Sequence, residues 1–316
     1  MVGQTRLNGS GEPLGYAVVV LPSLGRQLFS NDHGAFTLWN LPAGPLLIRF
    51  KRIGYAPRDT VVTLRDTDTL RIAIGLTKLV IQLPAVRVSG ACRDKRADER
   101  EGGILGDLFD QVQQNADRYR LLADSNPFDL ILYHVEGMRN RDGKILATNI
   151  DTVKRGPFPF SPYTPRHLIH TEVDSLDARV HHFLAVPELA DVADTAFVNN
   201  HCFIYAGQRV VDGDSVIAVD FEPVPSLKDE VDFRGTMYVR SAGYQLIRAD
   251  MELNRVPPEL QSSGMTGMNI TTRFTEVLPG VALLNDVEST TNFRGRILPH
   301  VEFAQVIDLK WVKGPP

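Results

Sequence analysis

The stretch Gly34-Ala-Phe-Thr-Leu-Trp-Asn-Leu-Pro-Ala-Gly-Pro-Leu-Leu-Ile-Arg-Phe-Lys-Arg-Ile-Gly-Tyr-Ala-Pro57 constrains the fold more than any other part of this chain. Phe36 and Leu38 point to one side, and Thr37 and Trp39 to the other. Beyond Pro42-Ala43-Gly44, Leu46, Ile48 and Phe50 oppose Leu47, Arg49 and Lys51. Successive side chains of a strand alternate in direction, so this pattern around a Pro/Gly break predicts a β-hairpin. Gly34 and Gly44 fall where turns need positive φ.

The same rhythm runs through residues 1–89. Val2–Leu7, Tyr16–Leu21, Gln27–Ser30, Thr60–Leu64, Leu70–Leu76 and Leu79–Val88 read as short strands, separated by turns such as 8–13, 31–34 and 66–68. No helical period interrupts them. Seven or eight short strands at this spacing predict an antiparallel sandwich.

Four segments then carry a resemblance: Gly11-Glu-Pro-Leu-Gly-Tyr-Ala-Val-Val-Val20, Asn31-Asp-His-Gly-Ala-Phe-Thr-Leu38, Leu41-Pro-Ala-Gly44 and Ile53-Gly-Tyr-Ala-Pro57. In order and spacing they resemble the carboxypeptidase regulatory-like domain, a family with a prealbumin-like (transthyretin-like) Greek-key β-sandwich. Its members are mostly exported bacterial proteins in which the module is an appendage. The resemblance therefore implies an envelope or periplasmic location.

Residues 90–103 are polar, mixed in charge and without apolar periodicity, and read as a linker. Leu105, Leu108, Phe109, Val112, Tyr119 and Leu122 recur at helical spacing and predict a helix over 104–122, with Asp110, Gln113, Gln114 and Asp117 turned away. Asn126-Pro127 ends it. The remainder returns to strands: Asp129–Gly137, Ile145–Val153, Ala178–Val186, Ser215–Phe221, Thr236–Arg240, Tyr244–Leu253, Asn269–Val277, Val281–Glu288, Asn292–Ile297 and Val301–Trp311. Ser241-Ala242-Gly243 marks a hairpin turn. The expectation is a mainly β chain: a sandwich over 1–89, a linker over 90–103, and an α+β domain over 104–316. That second domain would pair one helix with a large antiparallel sheet of half-barrel form.

Segments 193–203, 216–224 and 233–239 resemble the C-terminal part of uncharacterised bacterial two-domain envelope proteins. The rhythm of Phe233–Leu253 is also similar to lipoprotein-carrier half-barrels. In the two-domain pattern one cysteine lies just past the sandwich and one in a His-Cys-Phe segment, which Cys92 and Cys202 match. The resemblance thus implies a Cys92–Cys202 disulfide. Read from the residues alone, the two cysteines are buried free thiols in a cytosolic chain or one disulfide in an exported one. A bridge closing so long a loop contributes about 4–5 kcal/mol in the chain-entropy model.

The composition excludes several classes. Hydrophobic residues at 43% and charged residues at 23% are those of a globular protein. A net charge of −4 argues against a nucleic-acid partner. No apolar run reaches membrane-spanning length, so no transmembrane segment is expected. Met1–Leu7 alternates like a strand, so no signal peptide is visible; the chain is read as cytosolic or as a mature or trimmed form.

No His-Glu-x-x-His or His-x-x-Glu occurs, so the peptidase's zinc signature is missing although its regulatory module is present. His167 and His170 are spaced i, i+3. His181 and His182 alternate across a strand and cannot share a metal. Gly137–Gly143 reads as a hairpin turn rather than a phosphate loop, and Asp212-Gly213-Asp214 as a turn. Asp250 and Glu252 share a strand face, and solvation of that face is commoner than acid–base pairing. No cofactor is expected. The Pro-stiffened segment 156–165 projects Phe158, Phe160 and Tyr163, and Trp39 lies on the outward register of its strand. These four are candidate partner contacts, or they fold back onto the chain's own core.

The function expected on these grounds is non-catalytic. The chain is read as an accessory or scaffold subunit on a membrane-associated or periplasmic protein assembly, with an electron-transfer or photosynthetic complex as one candidate host. The alternatives are a carrier holding a hydrophobic ligand in a half-barrel, and an enzyme with an unrecognised site.

Overall fold

A computed structural model describes residues 1–65, 69–81, 104–158, 163–164, 167–173, 180–192 and 194–312, with backbone only at 104, 170–173, 180–184 and 195. The first strands form two facing sheets. In one, β1 (Val2–Leu7) lies between antiparallel β4 (Ala35–Thr37) and parallel β7 (Arg71–Leu76). In the other, β2 (Val18–Leu21) pairs with β3 (Arg26–Phe29) and β5 (Gly44–Lys51), and β5 pairs with β6 (Arg58–Leu64).

The strands flanking Pro42-Ala43-Gly44 are therefore not a hairpin: β4 and β5 belong to opposite sheets. The alternation named the buried face correctly. Phe36, Leu38, Leu46, Ile48 and Phe50 all enter one core, and the Phe36 and Phe50 rings meet with centroids 5.5 Å apart. A pleat dictates which side chains face inward, but not which strand supplies the hydrogen bonds. Gly34 and Gly44 take φ of +73° and +108°, as the turns require. The expected strand over Leu79–Val88 does not form in its described part. Leu79 and Ile81 instead pack into the second core, and the rest lies outside the described residues.

α1 (Ile104–Ser125) leads into β8 (Phe128–Arg139) and β9 (Ile145–Arg155). A separate hairpin joins β10 (Ile169–Val173) to β11 (Val180–Leu184), before the short helices α2 (Leu189–Val192) and α3 (Thr195–Asn200). There follow β12 (His201–Val211), β13 (Asp214–Pro223), β14 (Phe233–Arg240), β15 (Leu246–Leu253), α4 (Pro258–Gln261), β16 (Met265–Leu278), β17 (Val281–Phe293) and β18 (His300–Trp311).

One antiparallel sheet runs β12-β13-β14-β15-β16-β17-β18-β8-β9. It is a meander to which the β8–β9 hairpin is added beside β18, and it is not a closed barrel. β12 and β10 were not anticipated, and the two strands expected over 281–297 are largely the single β17. The turns at Asn140–Lys144, Asp212–Gly213 and Ser241–Gly243 are as expected.

Leu108, Val112, Tyr119 and Leu122 of α1 recur near every third or fourth residue and join the sheet's inner core. The opposite stripe does not face water. Gln111, Gln114, Asn115 and Arg118 are buried, which corrects the expectation for Gln114. The Gln111 carbonyl Oε1 accepts Gly54 N at 2.8 Å from the sandwich, and Asn115 Nδ2 donates to Tyr244 O at 3.2 Å. The helix is thus clamped between the sheet and the first seven strands, and polar residues serve there because hydrogen-bond partners are supplied.

Candidate functional site

The helix-side face of the nine-stranded sheet carries the candidate site. Directly paired residues of an antiparallel sheet share a face, so rows can be read across it. One row runs Phe203, Phe221, Gly235, Met251, Ile270, Ser289, Glu302, Glu136, Asn149. The neighbouring row runs Tyr205, Val219, Met237, Ala249, Thr272, Val287, Ala304, His134, Asp151. A third contains Met268, Thr291, His300, Met138 and Leu146. Along these three rows the face is almost wholly apolar over β12–β16 and increasingly polar over β17, β18, β8 and β9; further along the same strands it is apolar again, where Val306, Leu309 and Trp311 of β18 pair with Leu132, Leu130 and Phe128 of β8.

The apolar half carries Met237, Met251, Met265 and Met268 on three adjacent strands. Methionine is unbranched and polarizable, so such a surface adapts to irregular apolar shapes. α2 and α3 lie over this half and are pinned by a buried polar knot. His201 Nδ1 is 2.8 Å from Phe197 O, and Nε2 is 3.0 Å from Phe233 O and 3.4 Å from Asp232 Oδ1. The Phe197 ring stacks on the imidazole at 4.0 Å. Asp232 Oδ2 accepts the Tyr163 hydroxyl at 2.9 Å, and Asn254 Oδ1 accepts Asp232 N at 2.9 Å. Burial first, and then the Asp232 carboxylate, push the Tyr163 hydroxyl well above the ordinary phenol range. Arg120 Nη2 donates to Ala190 O at 2.7 Å, and Asp194 caps α3 through Ala196 N at 2.8 Å.

In the polar half His134 Nδ1 lies 3.0 Å from Asp151 Oδ1. Glu136 and Glu302 stand directly opposite each other, an unfavourable like-charge pairing by itself. His300 Nε2 sits 3.6 Å from Glu136 and 3.5 Å from Glu302, between them. These groups can donate and accept hydrogen bonds and hold charge at one end of the face. Among the described residues no set of three His, Cys, Asp or Glu is placed to hold a metal ion.

The outer face carries a ladder of ion pairs beside a small buried cluster of Val216, Ala218 and Tyr238. Asp250 pairs with Arg248 and Glu252 with Arg234, while Arg273 pairs with Asp286 and Arg139 with Glu288. Asp250 and Glu252 accordingly have arginine partners there, away from the methionines.

The residues singled out as partner contacts are not gathered at one place. Tyr163 is buried in the polar knot, so its ring serves the chain's own core. Phe158 is 44% exposed and meets the Tyr119 ring edge-on at 5.2 Å. Trp39 is 66% exposed on the sandwich, its carbonyl held by Arg26 Nη1 at 2.9 Å. Phe160 and Cys92 lie outside the described residues, and Cys202 sits on β12 opposite Glu222. Sequence reasoning passed over His134, Glu136, His300, Glu302, His201 and Asp232. Their signal is the strand pairing, which one chain read alone does not contain.

Residues 1–88 match the family model of the CarboxypepD_reg-like domain, as the four segments implied. No curated protein matches the chain. Solved structures similar to it include a DUF1329 family protein from Desulfovibrio piger, at 13% identity and TM-score 0.36, covering 66% of this chain and 95% of that one. A putative outer membrane lipoprotein-sorting protein domain from Vibrio parahaemolyticus is similar at 9% identity and TM-score 0.34, covering 66% and 95%. A LolA superfamily protein from Nitrosomonas europaea is similar at 9% identity and TM-score 0.33, covering 65% and 94%. Among the described residues no helix is long and apolar enough to cross a membrane.

Proposed function

We propose that the chain is a non-catalytic carrier of an amphiphile, which lies across the helix-side face with its apolar body on β12–β16 and its polar head at the end of β18 and β8 that carries His134, Glu136, His300 and Glu302. The observation that carries this reading is the division of the paired rows: Met237 and Met251 at one side, and His134, Glu136 and Glu302 at the other. At that end of the face, a ligand with an apolar chain and a hydrogen-bonding head matches these rows. In the described state Phe197 of α3 packs against Phe221 and His201 and covers part of the apolar rows. Loading would then replace its contacts with those of the ligand's chain.

The test is titration of delipidated protein with an environment-sensitive acyl probe, together with native mass spectrometry of protein purified without detergent. Saturable uptake at one probe per chain, weakened by Met251→Ala, is expected. Absence of both saturable uptake and any copurifying amphiphile sinks the reading.

The accessory-subunit reading has its own support in β9. This edge strand of eleven residues is exposed along most of its length, Leu146 and Ile150 included. Unpaired edges of this kind accept a partner strand. Recovery of a stoichiometric protein partner from native membranes, unaffected by acyl probe, would favour that reading over the carrier.

We place the chain in the bacterial envelope and pair Cys92 with Cys202. Fractionation of the source cells checks the location. For the disulfide, alkylation of unfolded, unreduced protein should label neither thiol; labelling of both removes the bridge.

A further inference from the structure

The seam between the sandwich and α1 is rich in cations. Lys51 ends β5, Arg52 follows it, and Arg118 reaches in from α1. Arg118 is 1% exposed. Its Nε donates to Gly280 O at 2.5 Å, its Nη2 to Pro279 O at 3.0 Å, and its guanidinium lies 5.2 Å over the Phe29 ring. Its Nη1 is buried without a partner, as is Nε of Arg52. Among the described residues no ion pair joins Lys51, Arg52 or Arg118 to a carboxylate.

Arg118 and Lys51 line a cleft of about 20 Å³ with Gln27, Gln114, Asp117 and two valines of β2. A water-sized body fits such a volume. Asp117 is engaged elsewhere: its Oδ1 accepts Gln113 Nε2 at 3.1 Å and lies 3.6 Å from Arg120. The Gln114 Oε1 has no partner, and turning that amide over presents Nε2 in its place. A buried guanidinium N–H left unpaired is costly, and the strongest relief is a charge-assisted bond to an anion.

We propose that a small anion, a halide or one oxygen of a carboxylate or phosphate group, occupies this cleft and bridges Arg118 of α1 to Lys51 of the sandwich. Burial, and then repulsion from Arg52, pull Arg118 down to about 9, against the attraction of Glu276; an anion in the cleft opposes both effects. The volume admits a single atom or a single terminal oxygen, so a larger anion enters only by its tip. The occupant adds a charged bridge between two parts of the chain that are also joined here by the Gly54 N to Gln111 Oε1 hydrogen bond and by the Arg118 guanidinium over the Phe29 ring. The site lies on the opposite side of α1 from the proposed carrier face and does not depend on that reading.

Crystals of the full chain soaked in sodium bromide provide the direct test, read by anomalous scattering. Thermal unfolding in sodium chloride, acetate and phosphate at matched ionic strength accompanies it, for wild type and Lys51→Met. A bromide peak within hydrogen-bonding reach of Arg118 Nη1 is expected, with a Tm that rises to a plateau with anion concentration in wild type and not in Lys51→Met. A plateau with chloride alone assigns a free halide, and one with acetate or phosphate assigns an oxyanion tip. Either sustains the site. A cleft holding only water at saturating bromide overturns it, and so does a Tm response identical in the two proteins. Lys51 is partly exposed, so its substitution keeps the test readable even where Arg118→Met fails to fold.

Discussion

Gly34 takes φ of +73°, and a Cβ built on it would stand 2.5 Å from Thr5 O and 2.8 Å from Leu14 O. Backbone atoms at that range cannot step aside, so Gly34→Ala is expected to destabilise the sandwich by more than about 2 kcal/mol, read by urea unfolding. A change within experimental error would mean that the turn relaxes freely. Tyr163 is the opposite case, a residue whose polar tip is spent inside the chain. Tyr163→Phe removes one donor from a buried carboxylate and should lower stability by about 1.5–3 kcal/mol. Asp191 supplies a pH-dependent term. Burial, the largest influence on it, raises its carboxyl above the ordinary value. The folded chain therefore binds more protons than the unfolded one between those two values, and stability falls as pH rises through that window. The Asp191 side chain accepts the Glu188 N–H at 2.9 Å, and an amide oxygen in its place can accept the same bond. Asp191→Asn should consequently remove that fall from the stability–pH profile and gain on wild type toward neutral pH. An unchanged slope would assign that pH dependence to other groups.

At the scale of elements, alternation was a reliable guide to faces and a poor one to partners. Phe36 and Leu38 announced that they were buried, but nothing in their spacing distinguished a β4–β5 hairpin from a crossing between two sheets. β17 reads as two strands in the sequence because Ser289 and Thr291 put polar residues on the inner face and break the pattern that Val281–Leu284 begins. Gln114 reads as part of a solvated face of α1 because Gln and Asp ordinarily are solvated. The sandwich lying over it supplies the partners that make burial tolerable. The candidate site was hidden for a related reason: His300 and Glu302 lie far from Glu136 in sequence and meet it only once β18 lies beside β8. The methionines give the element-scale prediction. Met251→Leu conserves volume and should cost less than about 1.5 kcal/mol in stability. Because a branched side chain adapts less readily, it should weaken acyl-probe binding several-fold. Equal probe affinity would remove the methionines from the proposed function.

Across the whole molecule, the first seven strands and the nine-stranded sheet share α1 and do not merely follow one another. Phe29, Leu79 and Ile81 pack against the second core, Ile81 N donates to the Tyr244 hydroxyl at 2.9 Å, and Gly54 brings its backbone up to Gly243. Residues 1–88 made alone should therefore melt below the corresponding transition in the full chain, because those three side chains lose their cover; calorimetry of both reads it. Equal midpoints would make the seam energetically idle. The β-rich class, the inward register of most strands, the α1 helix with its apolar stripe and the regulatory-like character of the first 88 residues were all legible in the residues alone. They follow from side-chain periodicity and local turn chemistry, which act over a few residues. The sheet order, the burial of Arg118, the inward turn of Tyr163 and the rows that run from methionines to His134, Glu136 and Glu302 emerge only in the folded chain. Each of these depends on which distant segments meet, a choice made by packing and hydrogen-bond satisfaction over the whole chain.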